Sequence, residues 1–191
     1  MKKLLLIALL TVCSWADTAK PSGPSYKNTN TIGFSTGFVS GVGFTWKHWY
    51  DVNGFQLTLL PYVDWQKTDK IVYVDAAANY LHALWQSPTY TFRGYASRNL
   101  VYSYTGTHVI VDRETMPGYY DNSLYTSVGT GLGLQMNTGA IQFNMGIGLA
   151  GARYDTDYQD SSSYWFDKSN NLTYSVYPVV DLTLGYTFHW D

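Results

Sequence analysis

The sequence predicts an all-β chain, an eight-stranded antiparallel up-and-down transmembrane β-barrel. Three observations predict it. After about residue 30, apolar residues recur at every second position over most of the chain, the period of a strand with two unlike faces. The cleanest hairpin region, 124–152, carries no charged residue on either face. Over all 191 residues only 14% are charged while 17% are aromatic, against a usual charged share of about 25%. Mean hydropathy is −0.17, too polar for a bundle of membrane helices and suited to strands that alternate greasy and polar residues.

The first residues stand apart. Lys2 and Lys3 precede an apolar stretch, Leu4 to Val12, and Ser14-Trp15-Ala16 offers small residues around a cleavage point. Residues 1–16 therefore read as a secretory signal peptide cut after Ala16. The stretch is too short to span a bilayer, which takes about 20 residues. Cys13, the single cysteine, lies inside it, and Val12 departs from the small residue that a lipoprotein box places before its cysteine. Cleavage would leave a mature chain without cysteine, excluding disulfides and thiol chemistry. It also leaves 10 basic against 14 acidic residues, a net charge of −4 instead of −2. Neither value, nor a pI near 6.0, suits a partner built of phosphate backbone, so nucleic acid is not expected. Residues 17–30, with Pro, Gly, Ser and Asn, read as a flexible leader, and 31–191 as the barrel.

The strands follow in order. Residues 30–37 (NTIGFSTG) form a weak first strand. In the second, Val42, Phe44 and Trp46 oppose Gly41, Gly43, Thr45 and Lys47. In the third, Phe55, Leu57, Leu59, Pro61, Val63 and Trp65 oppose Gln56, Thr58, Tyr62, Asp64 and Gln66. Two segments fit less cleanly. In 71–85 the alternation blurs at Leu81 and Trp85, and in 90–104 Arg98 falls among outward positions, so a bulge is expected there. The pair 127–136 and 140–152 places Leu132, Leu134, Phe143, Met145 and Ile147 on one face, with Gly, Ser, Gln and Asn on the other. Asn137-Thr138-Gly139 turns between them. The last strand puts Val176, Pro178, Val180, Leu182, Leu184, Tyr186, Phe188 and Trp190 on one face. Lipid is the solvent that suits such a face, and strands in lipid must close into a ring because unpaired edges cannot stand there.

Connections are short near 51–54, 67–70, 86–89 and 137–139. They are long at 105–125 and 156–172, which read as external loops with both termini periplasmic. Aromatics group at both strand ends: Trp46, Trp49, Tyr50, Trp85, Tyr90, Phe92, Phe188 and Trp190 at one, Trp65, Tyr73, Tyr102, Tyr104, Tyr154 and Tyr174 at the other. Two interfacial girdles are expected.

This strand pattern, the signal peptide and the amphipathic segment Tyr174–Trp190 resemble the small bacterial outer-membrane β-barrel proteins of the OmpA, OmpX and opacity-protein type. The resemblance covers about residues 30–191. It implies the bacterial outer membrane as location, and outer-membrane lipid and lipopolysaccharide as partners. In that group the last residue is often aromatic, as part of an assembly signal. Here Asp191 follows Trp190.

For chemistry, the histidines His48, His82, His108 and His189 match no metal or hydrolase motif. Some eight-stranded outer-membrane barrels are lipid A palmitoyltransferases or deacylases. His108, near Ser103 and Asp112, is the place where such an activity would sit, but it matches neither family's signature. Asp155, Asp157 and Asp160 enter the second long loop and read as an acidic exposed stretch rather than a Ca²⁺ site. Lys47, Asp64, Asp75, Arg93 and Asp181 are expected inside the barrel, where buried charges must pair or meet water. Tyr119 and Tyr120, and Tyr158, Tyr164, Trp165 and Phe166, are expected in the long loops as contacts for an extracellular protein or glycan. No cofactor, metal or catalytic residue is assigned. The role expected is structural or surface-interacting. A lipid A-modifying enzyme, a narrow pore and a soluble lipocalin-like binder stand as alternatives.

Overall fold

The computed structural model describes residues 26–66, 69–87, 90–92, 95–117, 119–160 and 167–189. The signal peptide, Arg93, Tyr164, Trp165, Phe166 and the side chain of Tyr158 lie outside the described residues.

The strands are β1 (Tyr26–Gly37), β2 (Gly43–Asp51), β3 (Asn53–Trp65), β4 (Lys70–Gln86), β5 (Tyr90–Phe92), β6 (Tyr95–Met116), β7 (Tyr119–Thr138), β8 (Ile141–Asp160) and β9 (Asp167–His189). Every pairing is antiparallel, sequence neighbours other than β4 and β5 pair, and β1 pairs with β9. The three-residue β5 pairs with β6, as β4 does. The result is an all-β ring of eight antiparallel up-and-down strands, with β5 prolonging the line of β4. The weak first strand is present and begins at Tyr26, inside the stretch read as leader.

The alternation sorts the two faces as expected. Phe44 is 73% exposed, Ile147 62% and Leu184 59%, all pointing away from the ring. Inward stand Thr31, Ser35, Lys47, Gln56, Gln135, Gln142, Asn144 and Asp181, all buried. Where a soluble β-protein buries its greasy face, this one buries its polar face and leaves the greasy one outside.

Four expectations need correction. Regions 105–125 and 156–172 are mostly strand, not loop. β6 and β7 stay in register up to Met116↔Tyr119, and β8 with β9 up to Asp160↔Asp167. A polar strand with both faces wet has no greasy stripe to betray it, so these stretches resemble loops in sequence. Tyr102 and Tyr104 belong to the lumen, not to a girdle. Gly131 and Gly133 on β7 make their space: a Cβ on Gly133 would stand 2.2 Å from the Tyr102 ring, and one on Gly131 2.7 Å from the Tyr104 hydroxyl. Arg98 therefore shares the inward parity of Tyr102, and β6 pairs with β7 without a register break. The bulge lies instead in β4, between Ala83 and Trp85. It turns both Leu84 and Trp85 outward, while Leu81 stays in the core. Trp49 is likewise fully buried rather than at the rim. It donates to Gln135 Oε1 at 3.1 Å, and Gly54 leaves it room.

The lower lumen, at the end where β1 begins and β9 stops, is filled. Trp49, Leu81, Leu100, Tyr102 and Tyr104 form its apolar cluster. Trp49 meets the edge of Tyr102 at 5.8 Å between ring centres, a favoured aromatic geometry. A void of about 20 Å³ remains beside Tyr102, Tyr104, Asn79 and Asn144, room for about one water.

Candidate functional site

The turn between β1 and β2, residues 38–42, folds into the barrel and closes it. Val39 and Ser40 are buried. A backbone inside a lumen needs partners for its N–H groups, and two carboxylates supply them. Asp181 Oδ1 accepts from Val39 N at 3.1 Å, from Ser40 N at 2.9 Å and from Ser40 Oγ at 2.9 Å. Its Oδ2 accepts from Tyr104 at 2.8 Å. Asp75 Oδ1 accepts from Val42 N at 3.1 Å and lies 2.9 Å from His108 Nε2. On the far side of the turn the Phe38 carbonyl accepts from Ser127 Oγ at 3.0 Å and lies 3.0 Å from His108 Nδ1. Gly41, with φ at +70°, makes the bend possible, and a Cβ there would press on Ala77 and Asp75 at 2.8 Å.

The expected interior charges thus divide. Lys47, Asp75 and Asp181 are buried in the lumen, apart from one another in their hydrogen bonds. The two carboxylates hold the turn. Lys47 donates to Asn144 Oδ1 at 2.9 Å, with its ammonium 5.2 Å from the centre of the Tyr102 ring. Asp64 has inward parity but stands at the upper end of β3, where Gln66 donates to it at 3.3 Å.

The proposed enzymatic grouping does not assemble. His108 is buried with both ring nitrogens against the turn and Asp75. Ser103 pairs with His82 and Leu132 on the outward parity of β6. Asp112 lies four residues up the strand from His108 and is exposed.

Above the turn the ring is no longer complete. β1 pairs with β9 only as far as Gly37↔Asp181, and β2 with β3 only as far as Phe44↔Leu59. Among the described residues, 60–65 of β3 pair with β4 alone, and 167–180 of β9 pair with β8 alone. The six longer strands form a trough, open at the side over β1 and β2. Each free edge carries a proline, Pro61 on β3 and Pro178 on β9. Proline has no N–H to give a further strand and is at home on an edge. These two prolines were the signal in the sequence that the wall stops short there.

The floor of the trough is aromatic. Phe38 meets the edge of Tyr177 at 5.3 Å, and His108 that of Tyr125 at 5.5 Å, between ring centres. The Tyr125 and Tyr177 hydroxyls are hydrogen-bonded to each other. Of the expected contact residues, Tyr119 and Tyr120 sit at the top of β7, opposite Met116 and Thr115. Alternation sends Tyr119 to the inner face and Tyr120 to the outer. On the outer face, Arg153 pairs with Asp155 at 2.8 Å. No group of three His, Cys, Asp or Glu among the described residues is placed to hold a metal ion.

Compared with family profiles, curated proteins and solved structures, the chain shows no match. The chemistry of the site rests on its own residues.

Proposed function

We propose that this chain is an integral outer-membrane β-barrel protein of a two-membrane bacterium, with a structural or surface-contact role at its upper end and no catalysis. The observation that carries the reading is the outward belt, from Phe44 and Leu57 round to Ile147 and Leu184, exposed over a lumen that is polar and filled. Water is a poor solvent for so large an apolar surface, and hydrocarbon is a good one. In the resemblance to OmpA- and OmpX-type barrels, outer-membrane lipid and lipopolysaccharide are the surrounding partners. Lys70, Arg113 and Arg153, all exposed and of outward parity towards the upper ends of their strands, suit the phosphates of such a lipid. An extracellular protein or glycan is the partner read for the upper aromatics.

The filled lumen and the pinned turn speak against a pore. Its polar lining speaks against a lipocalin-like binder of apolar ligands. The engaged nitrogens of His108 speak against lipid A chemistry there. Cell fractionation followed by SDS gels of unboiled and boiled samples tests the reading. The expected result is recovery with the outer membrane and a mobility that changes on boiling. Recovery in the soluble fraction without detergent overturns it.

A further inference from the structure

One side of the inward turn is held by a ring that needs an extra proton to hold it. His108 lies between two oxygens. Its Nδ1 is 3.0 Å from the Phe38 carbonyl oxygen, and its Nε2 is 2.9 Å from Asp75 Oδ1. A carbonyl oxygen only accepts, and so does an ionised carboxylate. A neutral imidazole has a single N–H and serves one of the two; its other nitrogen then turns a lone pair towards oxygen. Both contacts are hydrogen bonds only while ring and carboxylate together hold one further proton. That proton sits either on an imidazolium facing a carboxylate or on a carboxylic acid facing a neutral ring. Burial makes the count strict. His108 is 2% exposed and Asp75 0%, and among the described residues Asp75 Oδ2 has no hydrogen-bond partner. Of the two ion pairs among those residues, the one that involves Asp75 is with His108.

The neighbours of the ring supply no second cation. From β7, Tyr125 meets its edge at 5.5 Å between ring centres and gives its hydroxyl to Tyr177, while Ser127 Oγ donates to the Phe38 carbonyl. On β4, Tyr73 is the next inward residue above Asp75, and on β6 Asp112 lies four residues above His108. From the turn itself, Val42 N donates to Asp75 Oδ1. On the β9 side, Asp181 grips Val39 and Ser40 without any histidine. The turn thus has two attachments, and the one to β4, β6 and β7 depends on the shared proton. Gly41 and Gly43, with φ at +70° and +143°, give the backbone between them freedom to swing.

We infer that the turn at residues 38–42 is a proton-operated latch. While His108 and Asp75 share the proton, the turn is seated on β4, β6 and β7. When the pH rises and the proton passes to solvent, the one remaining N–H stays with the charged Asp75, the stronger acceptor. The bare Nδ1 then repels the Phe38 carbonyl. That side of the turn lets go, and Asp181 keeps the Ser40 side attached. Trp49, Leu81, Leu100 and Tyr102 still fill the lumen below, so release deepens the trough and uncovers Ser127 and His108 without opening a pore. The inference holds whichever solvent wets the outer belt.

NMR of the full chain in maltoside micelles tests it, as pH is raised from about 5 to about 9. Nitrogen signals of the His108 ring count its protons, and the Phe38 carbonyl-carbon signal reports the bond to Nδ1. Protection factors, which correct for the pH dependence of intrinsic exchange, report the hold on each amide. At the acid end both ring nitrogens are expected to be in hydrogen bonds. As the shared proton leaves, the Phe38 signal should move in step and the protection of Val42 should fall at least about tenfold. Ser40, held by Asp181, should keep its protection. His108→Phe should show the released value of Val42 at every pH, and Ser127→Ala should keep the pH response. A Phe38 carbonyl and a Val42 amide that ignore the deprotonation of His108 would overturn the inference, as would a pH response that survives His108→Phe. If His108→Phe does not fold, the spectra of the unaltered chain decide alone.

Discussion

The lower lumen and the upper trough are built from the same strands with the same alternation, yet they treat charge in opposite ways. Below, the strands are paired on both sides and the lumen is filled by side chains. Asp181, through both carboxylate oxygens, and Asp75, through Oδ1, are engaged there by backbone N–H groups, Ser40, Tyr104 and His108. Above, the wall is open on one side, and Glu114 faces Asp121, neither of them in an ion pair among the described residues. Burial demands that a carboxylate be partnered. Half-buried at an open wall, one carboxylate stands opposite another at modest cost. A charge in the lower half therefore reports on the fold.

The sharpest way to break this comparison is Asp181→Ala. It strips acceptors from two buried backbone N–H groups, Ser40 and Tyr104 together. A loss of about 3–5 kcal/mol is expected, read as the urea midpoint of unfolding in micelles. Asp181→Asn keeps an acceptor oxygen and should fall between the variant and the unaltered chain. Next is Gly133→Leu, which drives a side chain into the Tyr102 ring. Overpacking of this kind costs about 1–3 kcal/mol or prevents closure, and the temperature at which the unboiled gel band shifts should drop. In the trough the sign reverses. Glu114→Gln removes a like-charge pair and should stabilise by about 0.2–1 kcal/mol, an effect that fades as salt is raised. The smallest effect is expected for Pro61→Ala on the open edge of β3, within about 0.5 kcal/mol in the same assay.

Most of the ring was legible in the sequence, because one face had to be apolar throughout. Phe143, Met145, Ile147 and Leu149 against Gln142, Asn144, Gly146 and Gly148 left no other solution for β8. The inward parity of Lys47, Asp75 and Asp181 followed from the same rule. What was not legible had physical causes. Tyr102, Tyr104 and Trp49 can serve either at an interface or in a lumen, and only the small residues across from them decide which. Gly133, Gly131 and Gly54 carried that information, but it becomes readable only once the pairing is known. The upper halves of β6 to β9 were invisible because strands wet on both faces have no apolar stripe. The inward fold of the turn depended on Asp181 meeting Ser40 across a separation of 141 residues, which no local pattern encodes. Pro61 and Pro178 were plain to see, and only the pairing shows that they mark the open edges.

The most direct test of the account is a nitroxide scan along β8 of the protein in lipid bilayers, from residue 142 to residue 149. The account predicts that labels at Phe143, Met145, Ile147 and Leu149 are relaxed by oxygen, which concentrates in hydrocarbon. Labels at Gln142, Asn144, Gly146 and Gly148 should be shielded from it. If the odd-numbered labels respond instead to a water-soluble nickel reagent, or if the two sets do not alternate, the outer belt does not face lipid and the account is wrong.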